Sequence, residues 1–72
     1  MIDFTVEKVI AEISSTAISA KRLTLTSWNG RPAKLDLRTW HTDGAQDKPG
    51  KGMTLDAEEA EKLSEALSGF LS

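Results

Sequence analysis

The sequence predicts an α+β domain: four antiparallel strands followed by one C-terminal α-helix, in the order β-β-β-β-α. Three observations carry this. Apolar residues alternate with polar ones in three separate segments, as on a strand with two faces. Asn29-Gly30 sits between two of these segments, and both residues tolerate the positive φ of a tight hairpin turn. After Asp56 the apolar spacing changes from two to three and four, the spacing of an amphipathic helix. Sequential hairpins with a helix at the end argue for an antiparallel sheet with the helix on one face.

Residues 2–13 form the first predicted strand. Ile2, Phe4 and Val6 alternate with Asp3, Thr5 and Glu7, and from Val9 the apolar set becomes Val9, Ala11 and Ile13. A one-residue slip exchanges the faces of a strand, so a bulge or bend is expected near Glu7–Val9. Ser14–Ala20 is small and polar and reads as a turn or short loop. Residues 21–28 form the second strand, with Leu23 and Leu25 on the expected core face and Thr24, Thr26 and Trp28 on the other. Pro32 lacks an amide donor, so the connection should run to about Ala33. Residues 34–41 form the third strand, with Leu35, Leu37 and Thr39 toward the core and Lys34, Asp36, Arg38 and Trp40 toward water. Thr42–Gly52, with three glycines and a proline, reads as a loop, and Met53–Leu55 as a short fourth strand. Asp56 and Glu59 make an Asp-x-x-Glu capping pair at the start of the helix. Ala60, Leu63, Ala66 or Leu67, and Phe70 make its apolar stripe, and Glu58, Glu59 and Glu61 suit the positive end of the helix dipole.

A chain of 72 residues is one domain at most, and a domain of that size is marginal alone. Small scaffolds gain stability from disulfides, metals or oligomerisation. No cysteine is present, and the single His41 cannot build a metal cluster. Oligomerisation is the remaining device, and a homodimer is the expectation. The first residues carry early acids and lack the basic-then-apolar order of a signal peptide. No apolar run approaches the roughly 20 residues that span a bilayer. The chain therefore reads as a complete cytoplasmic protein beginning at its own Met1, with no membrane contact.

The net charge is -2, but its distribution is uneven. Lys21, Arg22, Arg31, Lys34, Arg38, Lys48 and Lys51 outnumber Asp36, Asp43 and Asp47 in the middle, and both ends are acidic. Local field governs a binding surface more than the total charge does. The basic middle also holds both tryptophans, Trp28 and Trp40, which alternation places on one sheet face with Lys34, Asp36 and Arg38. Indoles interleaved with cations suit single-stranded nucleic acid: bases stack on the rings, and Lys and Arg neutralise the backbone. The alternative is structural, with the indoles filling a core or a dimer interface. Lys48-Pro49-Gly50-Lys51-Gly52 is a basic glycine-rich segment that reads either as an anion-binding nest or as a solvated loop. It lacks the spacing of a P-loop. No arrangement of histidine, nucleophile or paired carboxylates meets the requirements of a catalytic site, so no enzyme, cofactor or small-molecule substrate is expected.

The segment LTLTSWNGRPAKLDLRTW followed by GKGMTLDAEEAEKLSEAL resembles the PC4-like transcriptional coactivator family, in particular its small bacterial members of YdbC type. The resemblance covers residues from about 21 to 70. It implies a strongly curved four-stranded sheet followed by one helix, a homodimer, and sequence-tolerant binding of single-stranded DNA in transcription, replication or repair. By position, Trp28 matches a base-stacking aromatic, and Trp40 the aromatic near the end of the third strand. Arg31, Arg38 and Lys51 match cationic contacts, with Gly52 in the GKG element and Lys21 or Arg22 at a basic position of the second strand. Lys34 joins this set from the alternation alone. Asn29 stands where a lysine of the family can occur, and the serine-rich tail of eukaryotic members has no counterpart here. The runner-up function is a protein-interaction module that uses the Trp28/Trp40 face; RNA is the alternative nucleic acid.

Overall fold

A computed structural model describes residues 3–72. Strand β1 spans Phe4–Ser15, β2 Ser19–Trp28, β3 Lys34–His41 and β4 Lys48–Leu55, and helix α1 spans Ala57–Leu71. The strands form one open antiparallel sheet in the order β1-β2-β3-β4, so each pairs with its neighbour in sequence. The predicted start of the first strand at Ile2 lies outside the described residues.

The turn chemistry is local. Asn29 and Gly30 have φ of 52° and 76°, and the Arg31 amide donates to the Trp28 carbonyl at 3.0 Å. Two positive φ values in succession make the turn whose twist matches a β-hairpin. The first hairpin is tighter than the sequence suggests. Ser14 and Ser15 still belong to β1, and Ser19 and Ala20 already belong to β2. The reversal is closed by Thr16, whose amide donates to the Ser19 carbonyl at 2.7 Å and whose hydroxyl oxygen accepts from the Ser19 amide at 3.1 Å. A hydroxyl that satisfies turn amides lets two polar residues on each side remain in strands.

Strand β4 departs furthest from expectation. It begins at Lys48, so Lys48-Pro49-Gly50-Lys51-Gly52 is strand and not loop. Gly52 lies directly opposite Arg38. A Cβ on Gly52 would overlap the Arg38 Cβ and come within 2.6 Å of the Leu37 carbonyl oxygen. A Cβ on Gly50 would lie 2.7 Å from the His41 ring. These glycines permit β3 and β4 to approach, the use of glycine inside a strand that composition alone hides.

Twelve residues of β1 lie opposite the nine from Ala20 to Trp28, with three interruptions, between Val6 and Lys8, Val9 and Ala11, and Glu12 and Ser14. The expected slip near Glu7–Val9 is thus the first of three bulges. Each adds length to one strand and bends the sheet. The bend is large. Phe4 pairs with Trp28 and Trp40 pairs with Ala20, eight residues apart along β2. On a flat sheet those positions would be about 26 Å apart at roughly 3.3 Å per residue. The Phe4 ring nevertheless sits 5.3 Å from the Trp28 ring and 5.5 Å from the Trp40 ring. The sheet curls around the face that carries these aromatics.

That curl reverses the expected burial. Ala20, Thr24, Thr26, Asp36 and Trp40 are buried, while Leu23, Leu25, Leu35 and Leu37 on the opposite face are only half-buried. Trp40 is 2% exposed, so the sequence expectation that it faces water is corrected. The buried polar groups satisfy one another: the Thr24 and Thr26 hydroxyls lie 2.7 Å apart, and Asp36 is bonded as described below. Among the described residues the indole N–H of Trp40 has no hydrogen-bond partner. Aromatic pairs such as Phe4–Trp40 contribute about 0.5–1.5 kcal/mol each beyond their buried area.

Helix α1 begins as the sequence predicts. The Asp56 carboxylate accepts from the Glu59 amide at 2.8 Å, and the Asp56 amide donates to the Glu59 carboxylate at 2.9 Å. The helix makes its main contact with β4, and none of its residues is buried. Leu63, Leu67, Phe70 and Leu71 stand exposed, Phe70 at 86%. The helix therefore does not cover the leucine face of its own sheet. Among the described residues no helix is long and apolar enough to cross a membrane.

Candidate nucleic-acid interface

A cleft of about 350 Å³ opens beside the β2–β3 turn, lined by Trp28, Asn29, Arg31, Pro32, Lys34, Arg38 and Thr54. The local folding explains the set. Trp28 ends β2, the two-residue turn brings Arg31 and Pro32 next to it, and Lys34 and Arg38 share a face of β3 by alternation. Thr54 comes from β4, where it pairs with Asp36. One indole and three cations thus share a cleft whose other walls are polar or small.

Within it, Arg38 donates three of its five N–H groups. Its Nε donates to Asp36 Oδ1 at 2.6 Å, its Nη2 to Asp36 Oδ2 at 2.8 Å, and its Nη1 to the Gly50 carbonyl at 3.1 Å. The guanidinium carbon lies 4.5 Å from the centroid of the Trp28 ring, covering one face of the indole. The Trp28 indole N–H donates to Asp36 Oδ2 at 3.2 Å. Asp36 is wholly buried and accepts all three of these side-chain bonds. A buried carboxylate is stable only with such partners, because the cost of desolvating it exceeds any single contact. The glycines of β4 complete the arrangement: Gly52 leaves space for the Arg38 stem, and Gly50 offers its carbonyl.

The remaining predicted residues lie elsewhere. Arg22 sits at the far end of β2, bridged to Asp47 at 2.7 Å and to Glu12 at 3.5 Å. The hydrogen bond that Arg22 donates to Asp47 raises its pKa above the ordinary arginine value, against the lowering effect of partial burial. It thereby ties the segment after β3 to the sheet. Lys21 is exposed and pairs across the sheet with Thr39, away from the cleft. Lys51 is exposed on β4 beside Gly52. Trp40 lines a second hollow of about 250 Å³ with Phe4, Val6, Val9, Arg22, Thr24 and Asp47. Of the nine predicted residues, the cleft brings together Trp28, Arg31, Lys34 and Arg38. The sequence reading missed Asp36 as a member of the site. Its signal was an acid two residues before an arginine on the tryptophan face of a strand. Among the described residues no cluster of histidine and carboxylate side chains could hold a metal ion.

The sequence matches the family described as Transcriptional Coactivator p15 (PC4) over residues 16–66, which include the cleft and the first turns of α1. The chain belongs to the PC4 family. A protein of Treponema pallidum (strain Nichols), described as uncharacterized, is 48% identical over 44 residues. That stretch covers 61% of this chain and 49% of the relative, so the match spans about half of the longer protein. PC4 membership is in keeping with nucleic-acid binding linked to transcription, and the four-strand-plus-helix order agrees with the fold that the resemblance implies.

Proposed function

We propose that this PC4-family chain binds single-stranded DNA without strong sequence preference, as a non-enzymatic module of the YdbC type. The observation that carries this is the cleft in which the Trp28 indole meets Arg31, Lys34 and Arg38. Single strands present free base faces to an indole and phosphates to cations, and duplexes present only the phosphates. The bonding pattern divides the labour among the predicted residues. Trp28 stacks on a base. Arg31, Lys34 and Lys51, which have exposed side chains, meet the backbone, with Lys21 at the margin. Arg38 and Gly52 build the platform, Trp40 supports Phe4 beneath it, and Arg22 anchors the adjoining segment. RNA would use the same surfaces.

The working unit is a homodimer. The stripe of Leu63, Leu67, Phe70 and Leu71 is unburied on its own chain, and 72 residues make a small core. Pairing through α1 would cover that stripe with an identical one. A cytoplasmic or nucleoid location, with a role in transcription, replication or repair, follows from this activity.

The test is tryptophan fluorescence during titration with oligo-dT, with a duplex as comparison and at two salt concentrations. Quenching by the single strand, weak response to the duplex and loss at high salt are expected. A response to neither would overturn the proposal and favour the protein-interaction alternative for this face.

A further inference from the structure

Asp36 is a carboxylate at the centre of a surface proposed to hold a polyanion. On charge alone it should weaken binding. It is also wholly buried, and the groups it touches are the two that define the stacking platform. Its Oδ2 accepts from the Trp28 indole N–H at 3.2 Å and from Arg38 Nη2 at 2.8 Å, while Oδ1 accepts from Arg38 Nε at 2.6 Å. Arg38 in turn lies over one face of the same indole. The carboxylate fixes the indole by its edge, and the guanidinium it holds occupies one of the two ring faces.

We propose that Asp36 is the positioning residue of this interface: it sets the plane of Trp28 for stacking with a base and holds the Arg38 guanidinium against the indole. This rests on the single-stranded binding proposed above. A side chain that can rotate must lose that freedom on binding, so an indole already held in place stacks at lower entropic cost. The ring edge, one ring face and three of the five guanidinium N–H donors are engaged before a strand arrives.

The test is Asp36→Asn, which keeps the shape and removes the charge. Simple electrostatics predicts tighter binding of oligo-dT, because the basic cleft loses an acid. Positioning predicts the opposite, a Kd raised about tenfold, within the range by which stacking on one aromatic contributes, with a smaller quenching amplitude. In a Trp28→Phe background, Asp36→Asn should add little further loss, since the two residues act as a unit. The unmodified protein supplies a second measurement that does not depend on the variant's folding. Its Trp28 indole proton, held by a carboxylate, should exchange with solvent more slowly than that of a free indole. Equal or tighter binding by a folded Asp36→Asn variant, or exchange of that proton at the free-indole rate, would overturn the proposal. Oligo-dT binding by the unmodified protein separates the two levels: without it the single-stranded function itself fails, and with it only the role of Asp36 is at issue.

Discussion

Replacing Gly52 by alanine tests whether the glycines of β4 serve the sheet or the ligand. The new Cβ would collide with backbone atoms of β3, 2.5 Å from the Arg38 Cα and 2.6 Å from the Leu37 oxygen. Neither obstacle is the movable end of a flexible side chain, so the strands themselves must separate. Overpacking of this kind costs typically about 1–3 kcal/mol, and contact with backbone puts Gly52→Ala toward the upper end. Alanine recovers roughly 0.5–1 kcal/mol by restricting the unfolded chain. The net expectation is a loss of about 2 kcal/mol, which in a domain of this size lowers Tm by about 8–16 °C. Gly69 is the internal control. It lies in α1, and a Cβ there would meet nothing within 4 Å. Gly69→Ala should therefore leave stability unchanged or raise it by up to about 1 kcal/mol of helix propensity. Thermal unfolding followed by circular dichroism at one fixed protein concentration reads both, since self-association would make Tm depend on concentration. A Gly52→Ala protein with unchanged Tm and impaired binding of single strands would refute the steric account and return this segment to phosphate contact.

Further outcomes are expected for the surface. Trp28→Ala should weaken oligonucleotide binding by about 1–3 kcal/mol whatever the base composition, measured by anisotropy of a labelled strand. Lys51→Ala should leave stacking intact and reduce the slope of log K against log salt by about 0.7, the value for one phosphate contact on a single strand; an unchanged slope places Lys51 outside the site. Leu67→Glu, in the middle of the exposed stripe of α1, should shift sedimentation from dimer to monomer, and a dimer that survives it would place the interface elsewhere on the chain.

The elements were legible where the signal was local. The Asn29-Gly30 turn, the alternation of β2 and β3 and the Asp56/Glu59 capping box each depend on residues close in sequence, and each is found where expected. The misjudged features depend on distant partners. Lys48–Gly52 looks like a loop until Arg38 and His41 are placed opposite its glycines. Period-two alternation separated the two sheet faces correctly, but hydropathy assigned the core to the leucines. The three bulges of β1 bend the sheet the other way and enclose Trp40, Asp36 and the threonines instead. The same long-range geometry kept Asp36 out of the predicted site. An acid among basic residues reads as a charge to be tolerated, and only its burial and its three bonds reveal a scaffold.

The bulges have another consequence. β1 is an edge strand, and it carries Val6, Val9, Ile10 and Ile13 in exposed positions. An apolar edge with free amides and carbonyls is the usual template for runaway strand addition between molecules. A flat intruding strand needs a regular ladder of donors and acceptors, and β1 breaks its repeat three times within twelve residues. The irregularity that shapes the sheet also gives its apolar rim protection against fibrillar growth.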